Sequence, residues 1–502
     1  MATAIQTFDN NILSKLAKLR AAPGKVLTKG LPDSVLEKFA RTDGSLSKAV
    51  DEALAAHALL LRQHPKLMAT DEADQIATLQ QGIVNFYAVE TVNPYVALAA
   101  RGPWIITTKG AVIHDSGGYG MLGQGHAPES VLIAMSQPHV MANIMTPNFS
   151  QMRLVNALRE EIGHTRRTDA CDFDRFVFMN SGSEAVTVGA RISDINAREM
   201  TDPGGRYQGR TIRKLALQGG FHGRTDRPAR YSDSTRKTYS RYLASFRDND
   251  KLWTVPPNDE KALRKVFVRA EEEGVFIESM FVEPVMGEGN PGLALTRGFY
   301  DAARELTLAH GSLLLVDSIQ AGLRAHGVLS VLDYPDFGDA LAPDMETYSK
   351  ALNAGQFPMS VLALTARAAS LYRRGVYGNT MTANPRALEV AIAVLKGLSP
   401  GLRRNITERG EEFREKLRML AEETDGIITH VQGTGLLLAA ELADGYLSTG
   451  RGSVEEDMRR HGIGVIHGGR NALRFTPHFA ITSEEIDVIV SQLRDSLARA
   501  AD

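Results

Sequence analysis

Apolar residues in the first part of the chain recur at three- and four-residue steps, Val35, Leu36 and Phe39 and then Val50, Leu54, Ala55 and Leu59, a spacing that puts them on helix faces. Residues 1–90 therefore read as an N-terminal helical extension that carries little chemistry. From Trp104 the pattern shortens to β-rich pieces, WIITT and AVIHD, around the turn Lys109-Gly110. Between Asp172 and Leu364 short apolar runs alternate with helical stretches, the pattern of a parallel sheet with crossover helices. The strands expected there are Arg175–Met179, Lys214–Leu217, Phe276–Val282, Leu313–Val316 and Ser360–Leu364. After Asn384-Pro385 a helical run, ALEVAIAVLKGL, leads into a smaller α/β unit that closes with an amphipathic helix over Ser483–Ala498. The expected organisation is α/β. Residues 151–390 form a large domain with a central, mostly parallel sheet, and residues 91–150 and 391–502 form a smaller α/β domain drawn from both sides of it.

Composition narrows the function without choosing it. Apolar residues at 43% and charged residues at 23% describe an ordinary globular chain. The formal net charge is -2 and no lysine/arginine run tracks a nucleic-acid backbone, so a small substrate is expected rather than a polyanion. The single cysteine, Cys171, cannot close an intrachain disulfide, which fits a reducing cytoplasm. No Cys/His cluster has zinc-ligand spacing, so no metal is expected, and no apolar run approaches the ~20 residues of a membrane span. The first thirty residues are poor in acids and carry several lysines; they read either as an organelle-targeting segment or as a basic surface helix.

In open α/β sheets ligands bind outside the carboxyl ends of the strands, and four polar segments follow predicted strands. In NSGSEAVTVGARISD, Gly182 and Ser183 stand at a helix N-terminus, where unpaired amides and the helix dipole suit a phosphate. Ser181 or Ser183 would serve equally well as an ordinary cap. In GGFHGRT, Phe221 could stack on a planar ring, although alone it reads as a core residue and His222 as a structural histidine. In LLLVDSIQAG, Asp317 ends an apolar strand, where a carboxylate needs a cation or donors, or caps the next turn. In ETYSKALNAGQFPMSVLAL, Lys350 lies between apolar segments, a setting that lowers a lysine pKa and suits an imine-forming nucleophile; most lone lysines are solvated surface groups.

A phosphate cradle, a ring stack, a pyridinium partner and an amine, in that chain order, are what pyridoxal 5'-phosphate requires. From about Pro94 to Ala498 the sequence resembles the class III aminotransferases of fold type I, a likeness carried also by VEPVMGEG, PDMETYSK, YGNTMTANP, QGTGLLLAAEL and LRFTPHFAITSEEID. The resemblance implies that Gly182 and Ser183 bind the phosphate, Phe221 and His222 line the ring, Asp317 pairs with its nitrogen and Gln320 contacts its hydroxyl. It makes Lys350 the Schiff-base lysine, and Thr380 the threonine that reaches the phosphate from the neighbouring subunit of a homodimer. On the substrate side it implies Arg474 for an α-carboxylate, Glu288 as the partner of that arginine while a terminal amine is bound, Arg224 for a second carboxylate, and Tyr119. Ser318 departs from the glutamate usual after the aspartate, and Thr382 and Ala383 from the small residues usual before Asn384-Pro385. The activity implied is ping-pong transfer of an amino group from a donor, by preference a terminal amine, to an oxo acid such as 2-oxoglutarate. A racemase or aminomutase on the same scaffold, or a non-catalytic binding protein, are the alternatives.

Overall fold

The computed structural model describes residues 11–117, 119–166, 170–247 and 251–501. Helices Ile12–Arg20, Asp33–Ala40 and Gly44–Gln63 form an N-terminal layer against strands β1 (Ala97–Arg101) and β2 (Trp104–Thr107). Phe39 meets the Trp104 ring at 5.0 Å between centroids, and the Trp104 indole N–H donates to Asp43. The buried face of the long helix is Leu46, Ala49, Val50, Ala53 and His57. Ala55 and Leu59, expected on that face, are exposed, because the stripe that faces the sheet begins at Leu46. Strand β3 (Val112–Asp115) completes a hairpin with β2, whose turn uses Gly110 at φ +71°.

The central sheet holds seven strands: β4 (Arg175–Met179), β5 (Thr211–Leu217), β6 (Leu252–Val255), β7 (Val275–Val282), β8 (Leu313–Asp317), β9 (Met345–Tyr348) and β10 (Ser360–Leu364). Their spatial order is β4-β10-β9-β8-β7-β5-β6. All run parallel except β10, which is antiparallel to both of its neighbours. All eight residues of β7 are buried, as a strand covered on both faces requires. Its one internal carboxylate, Glu278, accepts from the Tyr231 hydroxyl at 2.5 Å and pairs with Lys214 at 2.9 Å. The helix Gly182–Thr201 crosses the sheet closely: a Cβ on Gly189 would come within 2.5 Å of Leu315.

Strands β11 (Ile428–Thr434), β12 (Leu437–Leu442), β14 (Ile466–Gly468) and β15 (Ala472–Phe475) make a third, antiparallel sheet. The short β13 (Ile463–Gly464) instead pairs in parallel with β3, joining the two ends of the chain. The closing helix spans Ser483–Ala501. No described helix is long and apolar enough to cross a membrane.

Candidate active site

The carboxyl ends of β4, β5, β7, β8 and β9 point the same way and open onto one cavity of about 290 Å³. Asp317, the last residue of β8, is 4% exposed and fully partnered within the protein. Its Oδ2 accepts from His222 Nδ1 at 2.8 Å, and its Oδ1 accepts from Thr347 Oγ1 at 3.0 Å and the Ile319 amide at 3.2 Å. Lys350 follows β9 by two residues and has φ +48°, a left-handed backbone that a side chain with a Cβ adopts only under constraint. Its ammonium donates to Gln320 Oε1. Burial, reinforced by the nearby positive charge of Arg474, pulls the Lys350 pKa down to about 8.

Gly182 and Ser183 begin their helix at the cavity wall. Ser181 is the cap, its hydroxyl accepting from the Glu184 amide, which leaves the first amides of the helix without intrahelical partners. The cap reading and the anion-site reading are thus compatible. Phe221 also lines the cavity, with the Arg224 guanidinium 5.4 Å from its ring centre. Arg474, on β15, is buried, and its guanidinium donates to the Gly287 carbonyl. Glu288 lies between two arginines, 3.3 Å from Arg224 and 3.9 Å from Arg474. Two predicted residues stand apart from this wall. Tyr119 stacks at 5.9 Å on Tyr87, which does line the cavity, while Thr380 is exposed on an outer loop.

Several residues of the site escaped the sequence reading. Tyr87 corrects the expectation that residues 1–90 carry little chemistry: the helices end at Gln80, and the irregular segment after them reaches the cavity. Glu283 follows β7 as Asp317 ends β8, and the same criterion, a carboxylate closing an apolar strand, would have found it. It accepts from the Phe221 amide at 2.9 Å and the Gly287 amide at 2.8 Å, and burial pushes its pKa up to about 7. The serine at position 318 also has a structural account. Its hydroxyl donates at 2.6 Å to Glu346 on the adjacent strand, so a buried carboxylate braces this strand end from β9. Ser330 and the Val331 amide donate to the same carboxylate at 2.6 and 2.9 Å.

The profile of the class III aminotransferases matches residues 86–497. The chain belongs to this family. The aminotransferase is 27% identical over 412 residues to acetylornithine aminotransferase of Neisseria meningitidis serogroup B, covering 81% of this chain and 96% of the relative. It is also 27% identical over 405 residues to ornithine aminotransferase 2 of Staphylococcus aureus, covering 80% and 93%. Its fold is that of ornithine aminotransferase from Toxoplasma gondii, with a TM-score of 0.73 at 24% identity over 88% of this chain and 98% of the other. Acetylornithine aminotransferase from Elizabethkingia anophelis superposes with a TM-score of 0.67 at 21% identity, covering 86% and 100%.

The aminotransferase depends on pyridoxal phosphate, as its family does, and its cavity fits that group. The buried nitrogens His222 Nε2 and Gln320 Nε2 have no protein partner, so the wall keeps polar atoms available to a ligand. Two glycines keep the cradle open. A Cβ on Gly223 would fall 2.5 Å from Ser183 Oγ, and one on Gly182 would fall 2.6 Å from Ile319.

Proposed function

We propose that this aminotransferase takes its amino group from a terminal amine, on a substrate of the ornithine or acylated-ornithine kind, and passes it to 2-oxoglutarate. The observation that carries this reading is the position of Glu288 between Arg474 and Arg224. Paired with Glu288, Arg474 does not demand a carboxylate, and an amine-bearing carbon can sit beside it. Released from Glu288, its guanidinium fork is free to grip the α-carboxylate of the oxo acid. The matched relatives act, by name, on ornithine and acetylornithine, and one neighbour of known structure is an ornithine delta-aminotransferase.

When bound, pyridoxal phosphate supplies an aldehyde that condenses with amines and a ring that accepts the electron pair released at the substrate carbon. The other roles belong to the chain. Gly182 and Ser183 present amides to the phosphate, Phe221 covers a ring face, and Gln320 offers its free amide nitrogen to the ring hydroxyl. Asp317, locked by His222 and Thr347, keeps a negative charge at the place of the ring nitrogen. Lys350 holds the cofactor and, once displaced by the donor, carries the proton to and from the reacting carbon; a pKa of about 8 suits an amine for that traffic.

A screen of amine donors against 2-oxoglutarate, scored by glutamate formed, should select terminal amines. A racemase would differ by leaving the cofactor unconverted when donor alone is added. In separated half-reactions, Arg474→Ala should weaken 2-oxoglutarate by about tenfold or more, since a hydrogen bond to a charged group contributes ~1.5–3 kcal/mol, while the donor half suffers much less. Glu288→Ala should do the reverse and favour α-amino donors. Equal losses in both halves for both variants would remove the Glu288–Arg474 switch.

We further propose a homodimer acting in the cytoplasm. Val84, Phe86, Met141, Met145, Phe149 and Met381 are more than half exposed, and a partner subunit would cover such apolar side chains. Asn143, within this group, donates to the Thr380 carbonyl at 3.3 Å, so the loop carrying Thr380 lies beside the same surface. Thr380 would then serve the partner's phosphate site. Sedimentation at micromolar concentration should give twice the chain mass; a monomer that retains full turnover would exclude a shared site.

A further inference from the structure

We propose that His114, His478 and Glu485 form a divalent-metal site suited to zinc, separate from the cavity that holds the catalytic lysine. His114 lies on β3, His478 follows β15, and Glu485 sits in the first turn of the closing helix Ser483–Ala501. His114 and Glu485 are 371 positions apart, so no spacing of ligands along the sequence could have announced the cluster. Nε2 of His114 and Nε2 of His478 approach the same oxygen, Glu485 Oε1, at 3.2 and 3.1 Å. All three candidate ligand atoms lie within 4.8 Å of one another. A tetrahedral zinc bound at about 2.0–2.1 Å keeps neighbouring ligand atoms roughly 3.3 Å apart. Two of the three edges already have that length.

The chemistry of the set agrees with the spacing. Two imidazoles and one carboxylate, with a fourth position left to water, are a donor set that zinc accepts. His114 is fully buried; its Nε2–H donates to Glu485 Oε1, and its Nδ1 has no hydrogen-bond partner, so Nδ1 is free to take the proton when Nε2 binds a metal. Each neutral imidazole can move its proton to Nδ1 and offer the Nε2 lone pair, and no other reactant is needed. The Trp104 ring packs edge-on to His114 at 5.3 Å and holds its orientation. Glu485 Oε2 is fixed by the Thr482 amide at 2.6 Å, which leaves Oε1 to face the histidines. His478 and Glu485 also open onto a second cavity, of about 530 Å³, whose wall carries Asp43, Gln124 and Lys38. That cavity gives a metal an access path and gives a water ligand room. Bound there, the ion would staple the sheet of β3 to the C-terminal helix, stabilising the fold without touching the chemistry.

The test uses the full chain loaded with its cofactor, stripped with a chelator and dialysed against Zn²⁺ alone. The expected result is one zinc retained per chain, with a raised melting temperature. His478→Gln, which keeps a polar side chain of similar reach, and Glu485→Gln should each weaken zinc binding by about tenfold or more. Turnover of the zinc-free variants should equal that of the zinc-free parent. Should Glu485→Gln fail to fold, His478→Gln decides alone. Zinc absent from the parent, or held equally by the parent and His478→Gln, overturns the site.

Discussion

Lys350→Ala is expected to lose the visible absorbance of lysine-bound cofactor and at least about 10³-fold in turnover, the upper range for removal of an acid–base group. No other described lysine lines the cavity, so none can substitute for its amine. Cofactor can still enter the variant through the amides and ring contacts, but borohydride should then fix no adduct to the chain. An adduct that persists would mean that another amine holds the cofactor. The pH dependence follows from the surroundings of the lysine. Burial and then Arg474 depress the Lys350 pKa to about 8, so the amine is neutral and nucleophilic above that pH and charged below it. Uptake of pyridoxal phosphate by the cofactor-free protein should therefore quicken as pH rises through about 8 and then level off. Removing the positive charge in Arg474→Ala should move that midpoint upward, and Glu288→Ala should move it downward, because Glu288 favours the ammonium.

The parts of the fold that were legible in the sequence are those where burial on both faces leaves an unbroken apolar run. Ser360–Leu364 is buried throughout, whereas edge strand Arg175–Met179, buried only at its carboxyl end, is legible from its apolar FVFM; both strands have the expected bounds. Strand β9 was not legible because it is four residues long and reads METY, with a carboxylate and a hydroxyl in its middle. Those groups belong indoors only because Ser318, Ser330 and Asp317 stand where their side chains arrive, and such partners come from other segments of the chain. Strand β6 is equally short. The reversed direction of β10 has the same origin: an apolar run of five residues has no polarity of its own, and the return loop after Lys350 decides it.

Within the site, the legible residues are those whose chemistry conflicts with their local setting. Asp317 at the end of LLLV and Lys350 between apolar segments both announce a partner that the local sequence does not contain. Glu283 announces itself in the same way, after a strand of eight buried residues. Tyr87 and Ser181 gave no such signal. A tyrosine in an irregular apolar connection and a serine before a helix are ordinary until the fold carries them to the cavity wall.

Asp317→Ala should lower turnover by roughly 10³-fold, on the scale of losing one preorganised charge at a reacting group. The reasoning rests on what holds the side chain as much as on its charge. Three protein donors, from His222, Thr347 and Ile319, fix both carboxylate oxygens at the end of β8. The residue is therefore preorganised and pays no reorientation during the reaction, and its negative charge faces the cavity in a place with little water to screen it. Alanine removes the charge and also leaves His222 Nδ1 without its partner, so part of its effect could be disorder of the wall. Asp317→Asn separates the two causes. The amide keeps the shape and can still accept from Thr347, but it presents no charge to the ring nitrogen. Cofactor retention and melting temperature should stay near those of the parent in Asp317→Asn, while turnover should fall nearly as far as in the alanine variant. Turnover of Asp317→Asn near the parental level would show that position 317 serves only to order His222 and Thr347, and the electron-sink role would have to be sought in another group.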